Sequence, residues 1–180
     1  SAVPPAPLAG DIETAPVISL GSFSKIMAPG LRLGWIMAAK ALMKRLTGCG
    51  LVDSGGGLNP FTSGIVRSAI ESGFLEEQLK RLRSAYRGNE LALTRALRDH
   101  LSPQADFVAP RGGFFIWLKF GQAVDTEKML AKARSEKVGY LPGVRTSSQG
   151  GLHNFARLSF AYYDEKQLVR GVARLAKVFA

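Results

Sequence analysis

The chain has 180 residues, of which 46% are hydrophobic and 21% are charged, a composition typical of a folded globular protein. This composition excludes a disordered tail, a collagen and a coiled coil, and the single cysteine, Cys49, excludes a disulfide scaffold. The sequence contains no apolar run long enough for a transmembrane helix, and its proline-rich start does not resemble a signal peptide. We therefore expect a cytoplasmic protein that does not contact a membrane.

The net charge of +10, from 24 Lys and Arg against 14 Asp and Glu, raises the question of nucleic-acid binding. Many of the basic residues lie along one amphipathic stretch: Lys80, Arg81, Arg83, Arg87, Arg95 and Arg98. No basic run alternates with aromatic residues, so we interpret them as a solvated face and do not expect nucleic acid to bind here. His100 and His153 have no acidic or cysteine neighbours at ligand spacing, so no metal site is predicted.

The first part of the chain predicts an extended lead-in followed by two strands. Residues 1–16 contain four prolines, which disfavour regular structure. Residues 17–20 and 31–38 are continuous apolar runs, which are typical of strands covered on both faces in a mostly parallel sheet. Residues 39–46 then predict a helix.

Two helices are predicted in the middle of the chain. Asn59 and Pro60 match the N-cap and first helical position of a helix that we expect to run to about Ser72, where Gly73 ends it. Apolar residues at helical spacing then predict a long amphipathic helix over residues 74–101.

The remainder of the sequence alternates between strands and helices, which predicts an α/β fold. The predicted strands are residues 107–108, 114–120, 140–141 and 155–161, and the predicted helices are residues 125–137 and 164–178. Residues 110–113 predict a turn between the first two of these strands. Asp164 followed by Gln167 matches a capping box at the start of the last helix.

The segment richest in reactive side chains joins the two N-terminal strands. It contains Ser22, Ser24 and Lys25, followed by a Pro-Gly turn and Arg32. Hydroxyls and a guanidinium are suitable donors for a phosphate, and a lysine surrounded by apolar groups can become a nucleophilic amine. On spacing alone, a strand-turn-strand with one solvated lysine is the favoured interpretation.

Residues 22–35 as a whole, read as S-F-S-K-x-x-x-P-G-L-R-L-G-W, resemble the cofactor-lysine motif of fold-type I aminotransferases that depend on pyridoxal 5'-phosphate (PLP). The spacing of lysine and arginine is similar to that of the aminoadipate and kynurenine aminotransferases and of MocR-type regulators. The resemblance implies that Lys25 forms a Schiff base with PLP, and that Ser22, Ser24 and Arg32 bind its phosphate.

Residues 154–160 resemble the C-terminal segment of the same family, in which an arginine binds the α-carboxylate of the substrate. By this resemblance the arginine here is Arg157. A charged arginine within an alternating strand is costly unless a partner compensates it, and a carboxylate matches its forked donors. A structural arginine that reaches solvent or forms a salt bridge is the alternative. Residues 55–63 more weakly resemble the loop and helix that approach the family's dimer interface.

The resemblance covers residues 17–180 and only the C-terminal half of the family's fold. It implies the end of the large-domain sheet, followed by a small α/β domain with a mostly antiparallel sheet. We accordingly predict that residues 1–45 end the PLP-binding large domain and carry the cofactor lysine. Residues 46–75 are predicted to form an interdomain loop and helix, and residues 76–180 the small C-terminal domain.

The function implied is that of a homodimeric aminotransferase, which transfers an amino group between an amino acid and a 2-oxo acid. Three alternatives remain: a PLP-sensing domain of a MocR-type regulator, another fold-type I enzyme such as a lyase, and a basic binding module without a cofactor. The family's acidic partner for the pyridine nitrogen and its ring-stacking aromatic have no candidates before Lys25. We therefore expect the chain alone to bind PLP weakly and to lack useful activity. We also expect another chain, or a rearranged lead-in, to cover residues 17–38.

Overall fold

The computed structural model describes residues 6–53 and 58–180, and the chain divides into two compact units, residues 1–82 and 83–180. The division falls within one long helix, residues 74–101. Residues 55–57, the first part of the segment predicted to approach a dimer interface, lie outside the described residues.

The first unit contains a two-stranded sheet formed by β1 (Ile18–Ser22) and β2 (Gly34–Ala38). The strands are antiparallel, with Ile18 opposite Ala38 and Ser22 opposite Gly34. This pair is antiparallel because the connection through residues 23–33 is a tight turn and parallel strands require a longer crossover, and a mostly parallel sheet can include such a pair.

The apolar side chains of this hairpin remain largely exposed in the first unit. Leu20 and Ile36 are directly opposite each other and therefore project from the same face, and both are exposed. In the described part of the lead-in, from residue 6 onwards, a short 3-10 turn at Leu8–Asp11 contacts β1 and leaves Leu20 exposed. The hydrophobicity of these strands is thus not explained by burial within this unit.

Three helices of the first unit are close to their predicted bounds: α1 (Lys40–Thr47), α3 (Pro60–Glu71) and the start of α4 (Phe74–Leu101). A short helix between them, α2 (Gly50–Asp53), is not predicted by the sequence. The predicted N-cap is confirmed, since the Asn59 side chain accepts a hydrogen bond of 3.3 Å from the Thr62 backbone N–H. Gly73 follows α3 with φ of 76°, a left-handed conformation that ends the helix and that glycine adopts without strain.

The second unit is built on a four-stranded antiparallel sheet. Its strands are β3 (Ala105–Asp106), β4 (Phe115–Phe120), β5 (Leu141–Pro142) and β6 (Phe155–Ser159), in the spatial order β3-β4-β6-β5. The strand predicted at residues 107–108 is displaced by two positions. Ala105 pairs with Phe120 and is buried, whereas Val108 is 87% exposed, so burial of the small alanine decides the register.

One face of this sheet packs on helices and forms the core. Alternation along β4 and β6 directs Ile116, Leu118, Ala156 and Leu158 into a cluster with apolar side chains of α4 and of α6 (Glu165–Phe179). The helical residues of this cluster include Leu93, Leu97, Leu101, Leu168, Val172 and Leu175. The antiparallel sheet with helices confirms the α/β class expected for this part of the chain.

The capping box predicted for α6 is confirmed. The Asp164 carboxylate accepts a hydrogen bond of 2.8 Å from the Gln167 backbone N–H, and the Gln167 side chain accepts one of 3.1 Å from the Asp164 N–H. These two bonds satisfy donors that the helix itself leaves free and so define where α6 begins.

The helix predicted over residues 125–137 is shorter, because α5 covers only Leu130–Ser135. The preceding residues are held by a buried polar cluster instead. The Thr126 hydroxyl lies 2.9 Å from the His153 carbonyl and 2.7 Å from the Phe155 carbonyl, and the Thr126 carbonyl accepts a 2.7 Å hydrogen bond from the Tyr140 hydroxyl. This cluster anchors the start of β6.

The pKa of Tyr140 is raised to about 12 by burial, with further contributions from the negative charges of Glu127 and Asp125. The folded state therefore holds the phenolic proton more tightly than the unfolded chain, whose tyrosine pKa is near 10. The resulting stabilisation is fully present below about pH 10 and is lost as the pH rises towards about 12.

We predict that the wild-type chain loses more stability than Tyr140→Phe between about pH 10 and pH 12, because only the wild type ionises the phenol at residue 140. Free energies of unfolding from urea titrations across this range test the prediction, and Tyr162→Phe, at an exposed tyrosine, is the control. A difference between wild type and Tyr140→Phe that does not change with pH contradicts the prediction.

We further predict that the 180-residue chain self-associates through the exposed hairpin and that Leu20→Glu weakens the association, because a charge resists desolvation in an apolar contact. Sedimentation velocity over a range of concentrations measures the effect. Leu8→Glu is a matched control, since Leu8 is 75% exposed and Leu20 is 74% exposed. A wild-type chain that stays monomeric throughout this range, or equal effects of the two substitutions, counts against the prediction.

Candidate functional site

The turn between β1 and β2 carries the lysine singled out by the sequence. Its ends are joined by the Phe23 N–H, which donates a 3.0 Å hydrogen bond to the Leu33 carbonyl. The Phe23 carbonyl in turn accepts bonds of 2.8 Å from the Met27 N–H and 3.2 Å from the Ala28 N–H. Lys25 lies inside this closed turn, and its side chain is exposed. The described residues of the first unit thus do not supply the apolar surroundings considered for this lysine.

The other three residues predicted to bind the cofactor lie on the same turn. Ser22 ends β1, and its hydroxyl accepts a 3.2 Å hydrogen bond from the Ser24 backbone N–H. Arg32 lies two residues before Gly34, the cross-strand partner of Ser22, so the hairpin register brings the hydroxyls and the guanidinium to the same end of the sheet. The structure therefore gathers Ser22, Ser24, Lys25 and Arg32 in one turn.

The backbone of Arg32 has φ of 49° and ψ of 40°, the left-handed region that a non-glycine residue enters only at some cost. Its guanidinium Nη1 donates a 3.2 Å hydrogen bond to the Pro29 carbonyl within the same turn. Because one of its five donors is used in this way, the guanidinium is held at the turn while other donors remain for a ligand.

Sequence reasoning missed the residues that shape this turn. The indole of Trp35 lies across Gly21 on the neighbouring strand, where a Cβ atom would overlap the ring. The same indole packs against Phe23, with ring centroids 4.6 Å apart. A glycine opposite a tryptophan at the base of the hairpin was the available signal, since glycine in a strand often marks a close approach.

Arg157 lies in the second unit, on the strand β6 between β4 and β5. Its cross-strand neighbours are Trp117 and Leu141, and its side chain projects from the sheet face opposite the core because the neighbouring Leu158 faces inward. The guanidinium Cζ lies 4.0 Å from the centroid of the Phe115 ring. Among the described residues Arg157 forms no salt bridge, so the alternative of a salt-bridged structural arginine is not supported.

A cavity of about 660 Å³ lies beside β5, β6 and α6, and Arg157 is among its lining residues. The lining includes the apolar residues Leu158, Val172 and Leu175. Of the lining residues that the structure describes, four are basic, Lys137, Arg157, Arg170 and Arg174, and none is acidic. This charge distribution favours an anion over a cation near Arg157.

Two acidic side chains near Tyr140, a residue that lines the cavity, have partners of their own. Glu127 forms a salt bridge with Arg145, N–O distance 2.6 Å, and this interaction lowers the pKa of the Glu127 carboxyl. The pKa of Asp125 is lowered mainly by a hydrogen bond from the Lys128 backbone. Asp125 also approaches His153 at 3.9 Å, a pairing between distant positions that spacing along the sequence did not indicate.

In the part of the chain that the structure describes, no group of three His, Cys, Asp or Glu side chains is arranged to bind a metal ion. No helix in residues 6–53 or 58–180 has the length and apolar character needed to cross a membrane.

The predicted site residues form two groups. Ser22, Ser24, Lys25 and Arg32 lie on the lysine turn of the first unit, and Arg157 lies on the sheet of the second.

Comparison with known proteins shows relatives along nearly the whole chain. The chain is 32% identical over 179 residues to aromatic-amino-acid aminotransferase 1 of Thermococcus litoralis. The aligned region covers 98% of this chain and 42% of that protein. It is 29% identical over 174 residues to an HTH-type transcriptional regulator of Bacillus subtilis, YdfD, covering 96% of this chain and 35% of the regulator. The chain thus spans about two-fifths or less of the length of these curated relatives.

Among solved structures, the chain matches LysN, the α-aminoadipate aminotransferase of Thermus thermophilus, with a TM-score of 0.80 and 30% identity. The match covers 90% of this chain and 41% of that protein. The family model for aminotransferase class I and II matches residues 2–175. With the lysine turn and the arginine-bearing sheet both inside the matched range, the chain belongs to the class I and II aminotransferase family.

Proposed function

We propose that this chain is the C-terminal portion of a PLP-dependent aminotransferase, which transfers an amino group between an amino acid and a 2-oxo acid. The observation that carries the proposal is the turn that holds Lys25 together with Ser22, Ser24 and Arg32. An amine, two hydroxyls and a guanidinium on one short turn match the aldehyde and the phosphate of PLP. The aminotransferases among its relatives support the same conclusion.

The donor set of the turn fits this cofactor. Ser22 and Ser24 would donate hydrogen bonds to the phosphate, and Arg32 would add a permanent positive charge with donors that remain free. When bound, PLP supplies an electron sink that stabilises negative charge at the substrate Cα. The solved structure of LysN contains N-(5'-phosphopyridoxyl)-L-leucine, an adduct of this cofactor type with an amino acid.

Lys25 has two tasks in this proposal. Its Nζ atom would hold the cofactor covalently before substrate arrives, and would then act as the general acid and base that accepts the proton from the substrate Cα and returns it. Covalent attachment of the cofactor and removal of the proton from the substrate Cα both require the uncharged form of the amine. The exposed position of Lys25 in the first unit means that its final surroundings must come from outside that unit.

Arg157 would bind the α-carboxylate, which amino acids and 2-oxo acids share. Its position on the central part of a sheet restricts the backbone, and the absence of a described salt bridge leaves its donors available to a ligand carboxylate. Bidentate binding would fix the orientation of the substrate Cα–H bond, which is a positioning effect on the rate.

The oligomeric state, the cellular location and the domain bounds are properties of the intact protein. We propose a cytoplasmic homodimer in which residues 1–45 belong to a large PLP-binding domain, residues 46–75 connect, and residues 76–180 form a small domain. The exposed apolar hairpin supports the assignment of the first segment to a larger sheet. The observed division at residues 82 and 83 lies close to the start of the proposed small domain.

A regulator that senses PLP is the second candidate, and the match to YdfD of Bacillus subtilis favours it. Such a protein would use the same lysine turn to bind the cofactor and would not need turnover. Amino-acid turnover by the intact protein separates the two candidates, because a sensor would show Lys25-dependent cofactor binding without transamination.

We predict that Lys25→Ala in the intact protein abolishes nearly all transamination while the fold is retained, because Ser22, Ser24 and Arg32, the other candidate residues of the turn, carry no amine that can replace it. In the wild type, borohydride should remove the absorbance band of the PLP Schiff base and add mass to the peptide containing Lys25. The variant should show neither change, and circular dichroism checks its folding. Lys44→Ala, at another lysine of the first unit, is the control. Near-normal turnover by Lys25→Ala would refute the assignment.

We predict that Arg157→Lys weakens binding of the amino-acid substrate by about 1.5–3 kcal/mol, because lysine keeps the charge but loses the bidentate geometry. PLP affinity should hardly change. The measurements are the KM for the amino acid and the Kd for PLP, with Arg170→Lys as a control at another basic residue of the cavity. An unchanged KM, or a variant that unfolds, is inconsistent with a carboxylate-binding role.

A further inference from the structure

The Arg157 guanidinium lies over the ring of Phe115, with Cζ 4.0 Å from the ring centroid. The two residues lie on adjacent strands, since Phe115 is opposite Ser159 and Trp117 is opposite Arg157. Both side chains project from the sheet face away from the core. At this distance the electron-rich face of the ring attracts the positively charged guanidinium.

The core does not require an aromatic ring at this position. Phe115 is 43% exposed, and alternation along β4 directs Ile116 and Leu118 into the core instead. Its other ring contact is with the adjacent Phe114, at a centroid distance of 6.3 Å. Trp117, on the same face and 41% exposed, packs its ring near Phe155 at 6.0 Å. Of these two exposed rings, Phe115 is the one that contacts the guanidinium.

We propose that Phe115 is a positioning residue for Arg157, whose guanidinium it holds in place for the carboxylate of the bound substrate. The inference rests on the proposed function, in which Arg157 binds that carboxylate. A ring restrains a guanidinium through its face and leaves the N–H groups at the edge unpaired. An acidic residue would restrain it equally well, but would occupy the donors that the substrate carboxylate needs and neutralise the charge.

Holding Arg157 in one rotamer before substrate arrives reduces the entropy that binding must remove. This smaller entropy loss favours binding of the ground state and of the transition state equally, because the carboxylate does not change during the reaction. Loss of the ring should therefore raise KM and leave kcat nearly unchanged. If Phe115 had only a structural role in the sheet, its loss would instead lower the amount of folded enzyme. The kcat calculated per total protein would then fall, and KM would not change.

The test compares Phe115→Leu, Phe115→Tyr and Trp117→Leu in the intact protein. Phe115→Leu should raise the KM for the amino acid about two- to fivefold, the range expected for a cation–π contact near the surface. Phe115→Tyr keeps the ring face and should restore the wild-type KM. Trp117→Leu removes a similarly exposed ring from the same face and should have the smaller effect on KM. An unchanged KM in Phe115→Leu, or an equal increase in Trp117→Leu, overturns the inference.

Arg157→Lys separates a failure of this inference from a failure of the proposed function. If Arg157→Lys leaves KM unchanged, Arg157 does not bind the carboxylate, and the role proposed for Arg157 and the inference fall together. The aminotransferase function itself is tested separately, by the loss of transamination in Lys25→Ala. If Arg157→Lys raises KM and Phe115→Leu does not, the function stands and the positioning role is refuted. In the double variant that combines Phe115→Leu with Arg157→Lys, Phe115→Leu should raise KM by a smaller factor than it does alone, because the ring acts through the guanidinium.

A second readout does not depend on turnover. In ¹⁵N-labelled chain, the Nε–Hε signal of Arg157, assigned by its loss in Arg157→Lys, should be displaced by the ring current of Phe115. The signal should move towards the position of exposed arginines in Phe115→Leu and stay close to its wild-type position in Trp117→Leu. A signal that is the same in wild type and Phe115→Leu overturns the inference whether or not the protein is an enzyme.

Discussion

The antiparallel pairing of β4 with β6 is the constraint on which the second unit depends. Because side chains alternate along each strand, the register that places Leu118 opposite Ala156 in the core also places Trp117 opposite Arg157 on the other face. A shift by one residue would bury the guanidinium and expose the core leucines, at a large cost in free energy. The position of the arginine and the stability of the unit therefore have the same origin.

The first unit shows the same relation between backbone pairing and chemistry. The hairpin register fixes which end of the sheet carries the lysine turn, and the close approach of Trp35 to Gly21 requires a glycine in β1. What the hairpin lacks is burial, since Leu20 and Ile36 project from one face and both are exposed. A site that needs an uncharged lysine depends on surroundings that exclude water, and these must be completed from outside the hairpin.

The charges of the chain are distributed in a way that suits small anionic ligands. The lysine turn carries Lys25 and Arg32, and the cavity near Arg157 is lined by basic residues without an acidic one. The carboxylates of Asp125 and Glu127, which act electrostatically on Tyr140, are engaged by backbone N–H groups and by Arg145. Within the described residues, some basic side chains, such as Arg157, have no acidic partner, whereas others form surface pairs, such as Lys80 with Glu76.

The sequence by itself determined the local features of this protein. The caps at Asn59 and Asp164 and the bounds of the long helix α4 follow from side-chain chemistry within a few residues, and so were predictable. The lysine turn was likewise visible as a motif, because its residues are close together along the chain. Only the tertiary structure decided the antiparallel hairpin, the shortening of α5 by the buried Thr126, and the contact of Phe115 with Arg157. Alternating hydrophobicity indicates which side of a strand is buried, but strand neighbours and buried polar partners depend on contacts between residues far apart in the sequence.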